Sequence, residues 1–501
     1  MATYMTFSFY LLLCVFSCGN CWIPRIINGR PKGGMLGAPK VAHDVKTPPA
    51  QWFTQRLDHF DGANVQRWSQ RYFVNDTFYK SGGPIFLMIG GEGPANPVWM
   101  VEGTWIHYAQ TFGAICVMLE HRYYGESHPV KDLSIGNMRF LNSRQALADL
   151  ANFIDGFKVI YSQKYNFNNK NNKLITFGGS YPGSLSAWFR SKYPYMVDGA
   201  VATSAPIYAQ LDFMEYLDVV TDALDTTGPG CNQEIMNATQ TMSAWWGQPD
   251  KRAEMESMFK LCDKIDPDNI LDRAGFFSNL AGNFEGVVQY NKDNRAFEGA
   301  IGTDITLDKL CDVMTDFTRG SPIERYAYVN TWLLKTYSQS CLDFKYDKMI
   351  DDMTKTDWNS SAGEGGRQWM YQTCAEFGWF QSSDCKKQAF SHEFPVNFSC
   401  IQCMDIFEKS MDCTFIDANI KDTNQYYGGR IISVTKVVFP NGSIDPWHAM
   451  GVTEDISPDA TAIYIDGTAH CANMYPPADN DSPQLTAARQ HIGDLIEKWL
   501  Q

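Results

Sequence analysis

An α/β fold, with a mostly parallel sheet, flanking helices and a large helical insertion, is predicted by this 501-residue sequence. Up to Pro206, apolar runs typical of buried strands alternate with segments whose apolar residues recur at helical spacing, as in parallel α/β sheets. Residues 207–425 then carry mostly helical patterns and nine of the fourteen cysteines. Strand patterns return from residue 436, in "KVVFPNGSIDPW", so both ends of the chain are expected to build one sheet.

The N-terminal residues are expected to lie outside this core. Residues 7–16 form an apolar stretch too short to span a bilayer, and the small residues Ser17 and Gly19 follow it. This pattern predicts a signal peptide over residues 1–21, although no Lys or Arg precedes the stretch. Residues 22–50 are rich in Gly, Pro and basic residues, which indicates a flexible leader or a propeptide.

The first part of the core is predicted over residues 51–206. It opens with a hairpin, "WFTQRLDHF" and "RWSQRYFVN", whose residues alternate as in paired strands. Buried strands follow in "GPIFLMIGGEGP" and "AICVMLEHRYYGES", then a helix in "SRQALADLANFIDGF" and a third strand in "LITF". Residues 207–425 are expected to form a helical insertion, and residues 426–501, which end in an amphipathic helix, to complete the core.

The charge of the chain limits its partners. The formal net charge is −14 and the isoelectric point is about 5.1, so the protein repels phosphate backbones and no nucleic-acid partner is expected. Beyond the signal peptide, the sequence shows no stretch long enough for a membrane span.

The cysteines and sequons predict a secretory, oxidising compartment. Ten cysteines occur from Cys231 onward, an even number suited to a disulfide-stapled insertion, with connectivity left open. The cluster "CIQCMDIFEKSMDC" contains no His and is therefore interpreted as disulfide-forming rather than as part of a zinc site. Cys116, in a strand-like run, is expected to be a buried thiol. Sequons for N-glycosylation occur at Asn75, Asn237, Asn359, Asn397 and Asn441.

A serine stands among glycines in "GGSYPG", between the "LITF" strand and a helical segment. Strand, tight turn and helix around Ser180 are typical of the nucleophile elbow of an α/β-hydrolase core. Gly178 and Pro182 occupy the glycine positions of the usual motif, with Gly183 one residue later. A Gly-rich turn without a catalytic role is the alternative on these residues alone.

A serine nucleophile needs a base and an acid that orients the base. Four histidines follow Ser180: His392, His448, His470 and His491. His470 follows a short strand in a loop of small residues, and Asp445 lies one strand-containing segment before it, which is the chain order expected for this fold. Asp466 is a rival acid and His448 a rival base, although the pattern favours Ser180, Asp445 and His470 as catalytic residues.

An oxyanion hole is expected beside Ser180. Its first amide would come from Tyr181, the residue after the nucleophile, and its second from the glycine loop that follows an earlier strand. Gly91 and Glu92 in "GGEGP" fit that second place. An ordinary glycine turn is equally consistent with this loop when it is considered by itself.

Several long segments resemble a known family. "EHRYYGES", "RFLNSRQALADL", "FGGSYPGSLSAWFRSKYP", "TSAPI" and "NGSIDPW" are similar to segments of the serine peptidases that include lysosomal Pro-X carboxypeptidase, dipeptidyl peptidase II and thymus-specific serine protease. The resemblance runs from about residue 53 to about residue 471, and "GGEGP", "LNSRQALADL" and "LDFMEYLDVV" are most like the thymus-specific branch.

The resemblance implies an α/β-hydrolase core with a helical insertion over the active site. It implies the same three catalytic residues, Ser180, Asp445 and His470, no metal or organic cofactor, and short peptide substrates. It also implies a secreted or lysosomal glycoprotein that could form a homodimer. Which end of the peptide is trimmed stays open, because carboxypeptidases and dipeptidyl peptidases of the family share the triad.

The substrate pocket departs from the proline-specific members in one place. Ser184 stands where those members carry Met, whereas Trp447 matches an aromatic residue of their pocket. Cleavage after proline is therefore expected to be tolerated rather than required. The alternative functions are a catalytically silent α/β-hydrolase-fold protein used for adhesion or binding, and an esterase.

Overall fold

The computed structural model describes residues 26–41, 44–167, 172–292 and 305–501; the predicted signal peptide, residues 1–21, lies outside them. The strands in this described part are β1 (Ile26–Ile27), β2 (Arg30–Pro31), β3 (Gln51–Arg56), β4 (Arg67–Asn75), β5 (Ile85–Ile89), β6 (Ile115–Leu119), β7 (Leu174–Gly179), β8 (Gly199–Thr203), β9 (Gln210–Asp212), β10 (Gly378–Phe380), β11 (Val437–Gly442) and β12 (Ala460–Ile465).

The α-helices of the described residues are α1 (Thr104–Phe112), α2 (Ile135–Met138), α3 (Ser143–Ile160), α4 (Ser162–Tyr165), α5 (Tyr181–Lys192), α6 (Glu215–Asp225), α7 (Cys231–Trp245), α8 (Pro249–Met258), α9 (Ile270–Gln289), α10 (Leu307–Thr315), α11 (Pro322–Thr336), α12 (Tyr346–Met353), α13 (Gly366–Gln372), α14 (Val396–Ile406), α15 (Cys413–Tyr427) and α16 (Pro483–Leu500). Polar caps set some of their starts. The side chain of Asn142 accepts a hydrogen bond from Gln145 N at the start of α3, and Ser482 does the same for Leu485 N before α16.

One eight-stranded sheet organises the core, in the order β12–β11–β8–β7–β5–β6–β4–β3. The strands from β12 to β6 pair in parallel, and β4 and β3 add an antiparallel edge. Every residue of β5, β6, β7 and β8 is buried, as expected for a sheet covered on both faces. The predicted mostly parallel sheet with flanking helices is confirmed.

Alternate residues of each central strand pack into different apolar cores. In β5, Ile85 and Leu87 join the core that holds α3 and α5, whereas Phe86 and Met88 join the one that holds α1 and α16. The period of two residues along a strand produces this division. The helices therefore cover the two faces and leave the carboxyl ends of the strands for a site.

Helices α6 to α15 lie between β8 and β11 and form the predicted helical insertion. Four disulfides hold it: Cys231–Cys311, Cys262–Cys341, Cys374–Cys403 and Cys400–Cys413. The prediction of a disulfide-stapled insertion is thus confirmed, with eight of the ten cysteines from Cys231 onward paired. Cys385 and Cys471 are thiols, and so is Cys116, which is buried as expected.

The predicted glycosylation sites differ in their exposure. Asn359 and Asn397 are exposed. Asn441, by contrast, is 1% exposed within β11, and its amide donates to Val452 O. A glycan on Asn441 cannot be accommodated in this fold, because the side chain is buried and its amide nitrogen, to which the glycan would be attached, is already hydrogen-bonded. None of the helices in the described ranges is both long and apolar enough to cross a membrane.

Candidate active site

Ser180 occupies a strained turn at the carboxyl end of β7. The strand ends at Gly179 and α5 begins at Tyr181, so Ser180 alone makes the turn, with φ 67° and ψ −136°. A residue with a Cβ adopts such angles at a cost of about 1–3 kcal/mol, and they are typical of functional sites. This is the backbone geometry of the nucleophile elbow that "GGSYPG" predicts.

Glycines make the turn possible because β7 and α5 approach closely. A Cβ at Gly178 would lie 2.0 Å from Pro182 O, and one at Gly183 would lie 2.5 Å from Thr203 O. Pro182 itself stands in the first turn of α5, where proline is tolerated. The departure from the usual glycine pattern therefore leaves the elbow intact.

The predicted acid and base are in contact. His470 Nδ1 lies 2.9 Å from Asp445 Oδ2, and both side chains are fully buried. Asp445 also caps the short 3-10 turn Pro446–Met450, since its Oδ1 accepts from Trp447 N at 3.0 Å. Burial alone would lower the pKa of His470, but the Asp445 carboxylate outweighs it and raises that pKa well above 6.5.

The rival acid, Asp466, and the rival base, His448, make their contacts outside the Asp445–His470 pair. Asp466 accepts a hydrogen bond from Ser443 Oγ at 3.2 Å, as a turn residue does. The ring of His448 has its Nδ1 3.2 Å from Gly442 O and packs edge-on against Tyr464. Of the pairings considered from the sequence, the geometry therefore supports that of Asp445 with His470.

The loop that carries His470 meets the elbow. A Cβ at Gly179, directly before Ser180, would lie 2.9 Å from Cys471 Sγ. The backbone N–H of Cys471 donates to Ser204 Oγ, just after β8, and Ser180 N donates to Thr203 O. The carboxyl ends of β7, β8, β11 and β12 thus bring the three predicted catalytic residues to one edge of the sheet.

The candidate oxyanion residues lie beside the elbow. Gly91 follows β5 and leaves room for the Pro182 ring, whose Cγ would be 2.3 Å from a Cβ at Gly91. Glu92 is 2% exposed, and burial raises the pKa of its carboxyl despite hydrogen bonds that act in the other direction. The loop of Gly91 and Glu92 therefore packs, buried, against the first turn of α5, which carries Tyr181.

The side chain of Tyr181 is anchored by residues that sequence reasoning did not single out. His121 Nε2 and Gln372 Nε2 each lie 3.1 Å from the Tyr181 hydroxyl. Burial lowers the pKa of His121 to about 4, which keeps its ring neutral. His121 belongs to "EHRYYGES", a segment noted only for its resemblance. These contacts fix the first turn of α5 and hence the Tyr181 amide.

Gln289, at the end of α9 in the insertion, was also missed. Its carbonyl accepts from His470 N at 3.0 Å, which uses a helix-terminal carbonyl that has no partner within its helix. Its side-chain oxygen accepts from Trp447 Nε1 at 3.0 Å and from the Tyr216 hydroxyl at 2.6 Å. No local sequence signal marks a glutamine for this role.

The two predicted pocket residues have different surroundings. Trp447 is fully buried, and its ring centre is 6.5 Å from that of His470 and 5.8 Å from that of Trp379. Ser184 is also fully buried, and its hydroxyl donates to Pro206 O at 2.8 Å. Trp447 thus adjoins the base directly, whereas the hydroxyl of Ser184 is bound to the chain just after β8.

Comparison with known proteins agrees with this geometry. The model of the family "Serine carboxypeptidase S28" matches residues 55–492. A relative in Caenorhabditis elegans is 37% identical over 460 residues, covering 90% of this chain and 84% of the relative. Thymus-specific serine protease of Homo sapiens is 32% identical over 468 residues, covering 91% and 87% respectively.

Lysosomal Pro-X carboxypeptidase of Homo sapiens is more distant, at 27% identity over 461 residues, which cover 90% of this chain and 88% of that protein. These matches span the sheet, the elbow and the insertion alike. The chain therefore belongs to the serine carboxypeptidase S28 family and is a serine-type peptidase with an α/β-hydrolase fold.

Proposed function

We propose that the protein is an exopeptidase that cleaves short peptides through Ser180, His470 and Asp445. The observation that carries this proposal is the buried contact between His470 and Asp445 beside a strained serine. In the reaction, Ser180 Oγ attacks the scissile carbonyl while His470 accepts its proton. His470 then protonates the leaving amine, and an acyl-enzyme remains.

Hydrolysis of the acyl-enzyme completes the cycle. Water loses a proton to His470 and attacks the ester carbon, and the proton returns to Ser180 as the acid product leaves. Asp445 orients the imidazole and stabilises its protonated form throughout. The amides of Tyr181 and of Gly91 or Glu92 would donate to the oxyanion in both halves of the reaction.

The insertion supports a preference for short peptides. It contacts the site through Gln289 and buries both His470 and Trp447, so a folded protein has no approach to Ser180. Trp447 offers an apolar ring next to the base, which favours proline or another apolar residue before the cut. The relative named lysosomal Pro-X carboxypeptidase supports this preference by analogy.

The location is proposed to be secretory or lysosomal. Four disulfides in the insertion are typical of an oxidising compartment, and the predicted signal peptide and glycosylation are consistent with it. A homodimer remains part of this proposal by resemblance to the family.

The test is labelling by a fluorophosphonate, followed by turnover of peptide and ester libraries, on protein secreted by eukaryotic cells, both intact and after limited trypsin treatment. We expect labelling at Ser180 and preferential peptide turnover. Asp445→Asn should lower kcat by about 10⁴-fold, because the imidazole loses its orienting carboxylate. Asp466→Asn, at the rival carboxylate, is the matched control and should retain near-normal kcat.

Each alternative predicts a different result. Absence of labelling at Ser180 in both the intact and the trypsin-treated protein would favour a catalytically silent binding protein, and turnover of esters alone would favour an esterase. If Asp466→Asn rather than Asp445→Asn abolished turnover, the assignment of the acid would be wrong.

A further inference from the structure

The segment before the core crosses the candidate active site. Residues 26–37 lie against both the sheet edge and the insertion, and Ser180 Oγ donates a hydrogen bond to Met35 Sδ at 2.8 Å. Met35 is 1% exposed and Ser180 is fully buried. A hydroxyl has one proton to donate, so in this arrangement the Ser180 proton is directed at a thioether.

The backbone of this segment is bound by groups that surround the site. Gln289 Nε2 donates to Gly29 O at 2.9 Å, and Trp369 Nε1 donates to Asn28 O at 3.1 Å. On the other side, Met35 N donates to Glu92 Oε1 at 2.8 Å. Residues 26–31 form a β-hairpin, β1 paired with β2, whose turn is Asn28–Gly29. Both carbonyls of that turn and the Met35 amide are thus bound by side chains of the insertion and of the Gly91–Glu92 loop.

A buried ion pair adds to this binding. Arg30 is 1% exposed; its Nη1 lies 3.0 Å from Glu364 Oε1 and its Nε donates to Glu92 O at 2.6 Å. Burial alone would raise the pKa of Glu364, but the Arg30 guanidinium outweighs burial and lowers that pKa. Composition suggested a loose segment, yet its only buried cation is matched by a carboxylate of the insertion.

The fit leaves no space for a second chain. A Cβ at Gly29 would lie 2.5 Å from Trp447 Cζ2, and one at Gly93 would lie 2.2 Å from Gly33 O. The segment therefore fills the volume next to the aromatic ring proposed for the substrate pocket. No peptide can reach Ser180 while residues 28–35 remain in place.

From these contacts we propose that Gln289, Trp369 and Glu92 form a docking site for the N-terminal hairpin of the chain itself, next to Ser180. In the intact chain that site is occupied by residues 26–37, which act as a tethered inhibitor. The inference rests on the proposed peptidase function, since the segment can inhibit only if Ser180 is the nucleophile. The segment escapes cleavage because Ser180 faces the thioether of Met35, which offers no electrophilic carbonyl carbon from which an acyl-enzyme could form.

Exposed residues follow the bound part. Lys40 and Lys46 are exposed, so a trypsin-like peptidase can cut the chain there while the bound part stays folded. The released segment is then held only by its own contacts, without the high effective concentration that a short tether provides. Removal of the segment would open the site.

The experiment compares fluorophosphonate labelling of three full-length proteins, each with its N-terminus verified by mass spectrometry. They are the unchanged chain, Arg30→Ala, which breaks the pair with Glu364, and Lys40→Ala, the exposed control. We expect Arg30→Ala to label about tenfold faster or more, because removing one partner of a buried ion pair leaves the other charge unpaired and so weakens binding of the segment. Lys40→Ala should label as slowly as the unchanged chain.

Limited trypsin treatment and a synthetic peptide complete the test. After cleavage by trypsin, the unchanged chain should be labelled by the fluorophosphonate as fast as Arg30→Ala. A synthetic peptide of residues 26–37 should then inhibit peptide turnover by the cleaved protein competitively. The same peptide with Arg30→Ala should inhibit less. This second measurement keeps the proposal testable if the full-length variant fails to fold.

The outcomes separate this inference from the proposed function. Rapid labelling of the intact chain, at the rate of the cleaved one, would overturn the inhibitor while leaving the peptidase standing. Inhibition by the peptide that is not competitive would also overturn it. Failure of every form to label, including the cleaved protein, would instead count against the peptidase function itself.

Discussion

Glu376 is expected to make the protein more stable in acid than at neutral pH. It lies in the turn Thr373–Phe377 that continues α13, and its carboxyl accepts hydrogen bonds from Ser143 N at the start of α3. Burial raises the pKa of Glu376 to about 7 from an ordinary 4.5, against the effect of the Ser143 hydrogen bonds. The neutral carboxylic acid is therefore favoured in the folded protein.

The sign and size of the effect follow from this shift. Because the folded-state pKa is raised, the stabilisation is complete below about pH 4.5 and is lost as the pH rises through about 7. The shift from 4.5 to about 7 corresponds to about 3 kcal/mol. Glu376→Gln keeps an acceptor for Ser143 N but cannot ionise. Its free energy of unfolding should therefore rise by about 3 kcal/mol relative to that of wild type as the pH goes from acid to neutral.

Urea unfolding with the disulfides intact measures this difference at about pH 4 and about pH 8. Glu364→Gln is the matched control, because Arg30 holds the pKa of Glu364 below its ordinary value. The free energy of unfolding of Glu364→Gln, relative to that of wild type, should therefore fall rather than rise as the pH goes from acid to neutral. Parallel pH profiles for wild type and Glu376→Gln would refute the reasoning, since they would show that Glu376 ionises freely in the folded protein.

Two further changes test the packing of the elbow and the insertion. Gly178→Ala should destabilise the protein by about 1–3 kcal/mol, because the new Cβ would lie 2.0 Å from a backbone oxygen. Gly136→Ala is the control, since a Cβ there has no atom within 4 Å. Thermal unfolding of the two variants measures the difference. Replacing Cys231 and Cys311 by Ser opens a loop of 80 residues, which should cost about 4 kcal/mol. Cys385→Ser, at an unpaired cysteine, is the control, and equal unfolding of the two variants would contradict the disulfide's role.

Most of what could be predicted from the sequence came from the order of the strand-like segments and from the residues that follow them. The sheet was foreseen because apolar runs of strand length alternate with helical patterns. Ser180, Asp445 and His470 were predicted as catalytic residues because each follows such a run, and the structure brings Asp445 and His470 into contact. The same reasoning separated Asp445 from Asp466 by position alone. Local pattern was sufficient here, since parallel strands bring their carboxyl ends to one edge of a sheet.

Contacts between distant segments could not be foreseen in the same way. Gln289 binds His470 and Trp447 from a helix whose sequence shows only amphipathic spacing. The four disulfide pairings were equally hidden, because ten cysteines allow many connectivities. Residues 26–37 were interpreted from their composition, which is rich in glycine and basic residues. Composition cannot show that Arg30 pairs with Glu364, about 330 positions later.

The insertion contacts the proposed site residues His470 and Trp447 directly. Through Gln289 it holds the backbone of the proposed base, the indole of Trp447 and, in this state, the carbonyl of Gly29. A shift of α9 would therefore move the proposed base and the N-terminal hairpin together, since Gln289 binds both. The disulfides that hold the insertion are then a means of positioning His470, because a base must be placed closely to transfer a proton. Stability of the insertion and turnover should for this reason be lost together when its disulfides are reduced.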